Sequence, residues 1–123
     1  MILADTSVWV DQLRWPNARL IAALEEGQVA THPFIIGELA CGNLRNRRAL
    51  LDLWGDLPIV PTATDAEALL FIERHRLMGL GLGYVDVHLL ASAALAGDAR
   101  VWTKDKPLNA AAARLDLQYD DSR

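Results

Sequence analysis

The tightest constraint on the fold is a short apolar run that ends in an acid and is written at both ends of the chain. Ile2-Leu3-Ala4 leads straight into Asp5, Thr6 and Ser7, and Val101-Trp102-Thr103 leads into Lys104 and Asp105. Short continuous apolar runs of this kind suit strands buried on both faces, which belong to parallel sheets covered by helices. The intervening segments supply the helices. Ser7 to Arg14 forms one, broken at Trp15-Pro16, and Asn17 caps a second that stops at Gly27. Pro33 opens a third, over Phe34 to Asn43, and Asn46 opens a fourth with Leu50, Leu51 and Trp54. Thr64 and Glu67 have capping-box spacing before a helix to Leu77; Tyr84 to Ala96 is the longest apolar helix, and Pro107 begins the last, to Arg114. Short strands are expected around Val29, at Ile59-Val60 and at Leu117 to Tyr119, with Asp120-Asp121-Ser122-Arg123 as a tail. The alternation predicts an α/β fold: a parallel β-sheet flanked by helices on both faces, with right-handed crossovers, in a single domain over residues 1–123.

Composition narrows the function. The 123 residues are 52% hydrophobic and 23% charged, enough for one core and too apolar for disorder. The longest uncharged apolar run, Leu89 to Gly97, is too short to span a bilayer, and no basic region precedes the apolar start. Neither a membrane span nor a signal peptide is expected. Cys41 is the single cysteine, which excludes an internal disulfide and suits a reducing cytoplasm. A net charge of -4 argues against generic nucleic-acid binding through a basic surface, although an acidic cluster that holds cations gives the same total. Arg45, Arg47 and Arg48 form the densest basic run, and Lys104 and Lys106 flank Asp105. These read either as a solvated face or as a strip that contacts phosphates.

The informative acids are those that helical spacing turns toward apolar neighbours. Glu38 has Phe34, Ile35, Cys41 and Gly42 three and four residues away, and Asp86 shares a face with Leu89, Leu90 and Ala93. Neither has a basic residue at that spacing, whereas Glu73 has Arg76. A buried carboxylate without a partner costs several kcal/mol, so something must compensate. Asp5 and Asp105 sit at strand ends, where sites form in open parallel sheets; each is equally well placed to cap the helix that comes next. Together Asp5, Glu38, Asp86 and Asp105 can converge, and four such carboxylates persist ionised only with cations between them. An all-oxygen set suits Mg²⁺ or Mn²⁺. Zinc is not expected, because His32, His75 and His88 have no ligand spacing with Cys41.

At these residues the chain resembles the PIN-domain ribonucleases of the VapC toxin type. Met1-Ile2-Leu3-Ala4-Asp5-Thr6-Ser7 is similar to the family's first motif, and His32-Pro33 through Ile36-Gly37-Glu38-Leu39 to its second. Gly81-Leu82-Gly83-Tyr84-Val85-Asp86, with Leu89-Leu90-Ala91, resembles the third, and Trp102-Thr103-Lys104-Asp105 the fourth. The resemblance implies a metal-dependent endoribonuclease with Asp5, Glu38, Asp86 and Asp105 as metal-binding acids and Ser7 and Thr103 as supporting hydroxyls. It also implies a VapB-type antitoxin partner, an RNA substrate and a homodimer. One departure bears on the number of ions held: many relatives carry a further acid where this chain has Pro107.

Trp9 and Trp15 are open to two readings, base stacking or packing in the core or a dimer. Gly79 to Gly83 lacks the Lys-Ser/Thr ending of a P-loop and reads as a permissive turn that sets up Asp86. The rival functions are a catalytically silent binding module and an aspartyl-phosphate phosphotransferase using Asp5. The second wants another Asp where this chain has Ser7.

Overall fold

The computed structural model describes residues 1–121. The expected strand β1 is Ile2–Ala4, fully inside the molecule, and it is the centre of the sheet. β2 (Val29–Ala30) and β3 (Arg100–Trp102) pair with it in parallel on either side, in the order β2-β1-β3. Ala4 lies opposite Trp102, and this register aligns the ends of the two strands. Asp5 and Thr103 therefore emerge side by side at the carboxyl edge, and the Asp5 amide still donates to the Trp102 carbonyl at 3.0 Å. Seven helices among the described residues complete an α/β three-layer arrangement: α1 (Thr6–Arg14), α2 (Ala18–Glu25), α3 (Pro33–Ala40), α4 (Arg47–Asp56), α5 (Asp65–His75), α6 (Tyr84–Ala96) and α7 (Lys106–Arg114). None is long and apolar enough to cross a membrane.

The helix starts agree with the caps expected from the sequence. Asn17 accepts from the amides of Arg19 and Leu20, and Thr64 and Glu67 close a reciprocal capping box. α6 is buried without interruption from Val87 to Ala93, which explains an apolar composition with no polar face. The core joins Leu3, Val101, Leu20, Ile35, Leu89, Leu90 and Leu108 to Trp54.

Three expectations are corrected. Ile59 and Gln118 make only single parallel bridges, to Thr31 and Val101. Pro58 and Pro61 flank the first and cannot donate to a ladder. Glu73 and Arg76 form no ion pair among the described residues, because α5 ends at His75 and Arg76 turns left-handed, with φ of 54°. The expected tail is partly tied down: Asp121 accepts from the Trp102 indole at 3.0 Å. Its last two residues, Ser122 and Arg123, lie outside the described residues.

His32 caps α3 through Nδ1, which accepts from the Phe34 amide at 3.0 Å. Burial, with the neighbouring His88 ring adding, lowers its pKa to about 4. An unfolded histidine near 6.5 binds the proton more readily, so stability is full above pH 6.5 and falls as pH drops toward 4. A cap that is lost on protonation acts in the same direction. Denaturant melts at pH 7 and pH 4.5 are expected to show a loss of roughly 2–3 kcal/mol that His32→Asn largely abolishes.

Candidate active site

Asp5, Glu38, Asp86 and Asp105 line one cavity of about 470 Å³ at the carboxyl edge of the sheet. Thr6, Ser7, Asp11, Arg14 and Lys104 share its wall. Each acid arrives by a different local device. Asp5 comes directly after β1 and caps α1, its Oδ1 accepting from the Val8 amide at 3.1 Å. Asp105 lies just beyond β3 and caps α7, its Oδ2 accepting from the Leu108 amide at 3.0 Å. Capping and lining the cavity are therefore compatible tasks for the same side chain. Asp86 sits in the first turn of α6 and reaches back to the Gly83 amide at 3.0 Å. The preceding turn depends on left-handed backbone at Gly79 and Gly81, with φ of 73° and 79°, so the glycines do position Asp86. Pro107, at the departure from the family pattern, lies 3.6 Å from the place a Gly81 side chain would occupy and packs on that turn.

Glu38 comes to the cavity for a reason other than the one expected. It is exposed rather than buried, and Thr6 Oγ1 donates to its Oε1 at 2.6 Å. Asp105 is exposed as well. Asp5 is the buried acid, at 6% exposure, and both its oxygens are held: Ser7 donates to Oδ1 and Thr103 to Oδ2, each at 2.5 Å. Ser7 also accepts from the Lys104 amide, and Thr103 from the Asp105 amide, so two hydroxyls tie the ends of β1 and β3 into one network.

Burial raises the Asp5 pKa, opposed by those hydrogen bonds. Asp86 is raised first by burial and further by the charges of Asp105, Asp5 and Glu38, against a lowering from Gly83. The acids thus feel one another electrically. Among the described residues none of the four is in an ion pair. No three groups of His, Cys, Asp or Glu among the described residues close on a single point. The donor chemistry, carboxylate and hydroxyl oxygen throughout, fits a hard divalent cation.

The basic residues divide. Arg47 donates to the Ala40 and Gly42 carbonyls at 2.7 and 3.1 Å and so finishes α3. Lys104 borders the cavity and pairs with Asp121 at 3.7 Å. Arg45 lies in a separate groove with Leu13, Leu44 and Leu53, while Arg48 and Lys106 are exposed. Asp11 and Arg14 line the cavity although the sequence motifs do not mark them. Ser7, Asp11 and Arg14 lie four and three residues apart on α1, and that helical spacing was the available signal.

The PIN-domain family model matches residues 2–114. Ribonuclease VapC32 from Mycobacterium tuberculosis, strains CDC 1551 / Oshkosh and ATCC 25618 / H37Rv, is 49% identical over 113 residues, which cover 92% of this chain and 91% of that protein. The crystal structure of PAE2754 from Pyrobaculum aerophilum superposes with a TM-score of 0.61 over 95% of this chain and 90% of that one, at 17% identity. The last likeness concerns the fold alone.

Proposed function

This chain belongs to the PIN-domain family, and from that premise we propose that it is an endoribonuclease, the toxin of a VapBC-type toxin–antitoxin pair. The observation that carries the reading is the meeting of Asp5, Glu38, Asp86 and Asp105 in one cavity. The identity to ribonucleases over nearly the whole chain supports it. These four acids would hold Mg²⁺ or Mn²⁺, which when bound makes water a better nucleophile near neutral pH and offsets the charge that builds on the phosphate.

The chain's own residues prepare that chemistry. Ser7 and Thr103 donate to both oxygens of Asp5 and so favour its anionic form and one orientation. Thr6 likewise fixes the orientation of Glu38. Asp5 accepts three hydrogen bonds, from Ser7, Val8 and Thr103, which leaves a lone-pair direction on Oδ2 for a cation. The aspartyl-phosphate alternative lacks the second Asp it wants, since this chain has Ser7 there. Lys104, Lys106, Arg45 and Arg48 are the residues proposed to meet RNA phosphates, and Arg47 mainly keeps α3 closed. An antitoxin would cover the cavity, with an arginine paired to the carboxylates. The protein would act in the cytoplasm as a homodimer.

Purified protein is expected to cut RNA in Mg²⁺, to stop in EDTA and to resume in Mn²⁺, leaving 5′-phosphate and 3′-hydroxyl ends. Cutting that resists EDTA and leaves 2′,3′-cyclic phosphates would overturn the proposal. Co-expression with the small neighbouring gene product should relieve toxicity.

A further inference from the structure

The four tryptophans do not share a fate. Trp9, Trp54 and Trp102 are buried, Trp9 edge-on to Trp54 at 5.9 Å, whereas Trp15 is 73% exposed. Trp15 closes α1 as its C-cap and stands next in the chain to Arg14, which lines the acidic cavity. Two cations border that cavity. Lys104 is paired with Asp121; Arg14 has no hydrogen bond or ion pair from its side chain among the described residues. A guanidinium without a protein partner on the wall of an acidic cavity, one residue before a large exposed ring at the helix end, suits a ligand that carries negative charge and a flat face. A nucleotide has both: a phosphate for the arginine and a base for the indole. The cavity's own negative charge would otherwise repel RNA, so a fixed cation on its wall is also where such a chain needs one.

We propose that Arg14 and Trp15 form a nucleotide subsite at the mouth of the acidic cavity, the guanidinium on a phosphate and the indole stacked on the adjoining base of single-stranded RNA. The proposal rests on the nuclease reading. It makes the end of α1, rather than the Arg45 to Arg48 run alone, the element that seats the substrate. Stacking tolerates any base, so the subsite contributes affinity and alignment more than base identity.

Because Trp15 is the exposed tryptophan, its fluorescence reports directly on the site. The test titrates a mixed-sequence single-stranded oligoribonucleotide into Asp86→Asn protein, which binds without cutting, and into the same protein carrying Trp15→Phe or Arg14→Ala. RNA is expected to quench the emission and to shield it from acrylamide. Trp15→Phe should remove the quench and, as a smaller ring, weaken binding severalfold. Trp15→Ala should weaken it about tenfold or more. Arg14→Ala should weaken binding and lower the slope of log affinity against log salt by about 0.7. Arg14→Lys should keep the salt slope. Unchanged affinity in Trp15→Ala and Arg14→Ala, while the parent still cuts RNA, overturns the subsite and leaves the nuclease reading standing. A parent that neither binds nor cuts RNA overturns both. If Trp15 is shielded by raising the protein concentration or by antitoxin, and not by RNA, the ring belongs to a protein interface and the subsite is again overturned.

Discussion

Asp86→Asn is expected to slow RNA cleavage by roughly 100-fold or more, and at the same time to melt at a higher temperature than the parent in chelator. The two effects have one origin. Asp86 is half-buried near Asp5, Glu38 and Asp105, and both burial and their charges raise its pKa. A carboxyl whose pKa is raised by folding is one whose ionised form opposes folding. The stabilising protonated form is favoured at low pH, and the cost grows as pH rises through the carboxylate range and stays above it. Asparagine keeps an oxygen for the Gly83 amide, which donates to Asp86 at 3.0 Å, and removes the charge. The Gly83 bond and the helix N-terminus work the other way, but burial is the larger influence. Added Mn²⁺ should then raise the melting temperature of the parent much more than that of Asp86→Asn. Asp52→Asn, an exposed acid on α4 outside the cavity, should change neither cleavage nor the Mn²⁺ response.

Trp54→Ala is expected to cost about 3–5 kcal/mol, the range for removing a large buried aromatic, out of the roughly 5–15 kcal/mol that stabilises a domain of this kind. Trp54 has no exposed surface and meets Trp9 edge-on at 5.9 Å. Its removal leaves a void between α1 and α4 and forfeits the aromatic contact as well. Its indole nitrogen has no hydrogen-bond partner, so Trp54→Phe, which keeps most of the packing and drops an unpaired N–H, should lose far less. Urea unfolding of both variants measures the difference. The ribonuclease assay on Trp54→Phe should match the parent, since the residue does not line the cavity.

The contrast between these variants shows what was legible in the sequence. Short apolar runs ending in Asp5 and Asp105 point to parallel strands with both acids at their carboxyl edge, because chain direction alone puts them there, and a cavity lies at that edge. Caps at Asn17 and Thr64 were legible because a cap is a local event. Apolar neighbours along its helix suggest a buried Glu38, yet it is exposed, because such neighbours show a helix's composition and not which side solvent reaches. Register was not legible. That Ala4 lies opposite Trp102, and so brings Thr103 onto Asp5, depends on packing across the whole sheet. The fate of the basic run was likewise set by three-dimensional structure: Arg47 turned back onto the end of α3, while Arg14, isolated in the sequence, reached the cavity.

The central claim is that the four carboxylates act as one unit. It is tested most directly by single-turnover RNA cleavage in a double-mutant cycle of Asp86→Asn and Glu38→Gln. Groups that act as a unit are strongly non-additive, so the double variant should cut about as slowly as the slower single variant. Losses that multiply in full, as for two independent contributions, would contradict the account.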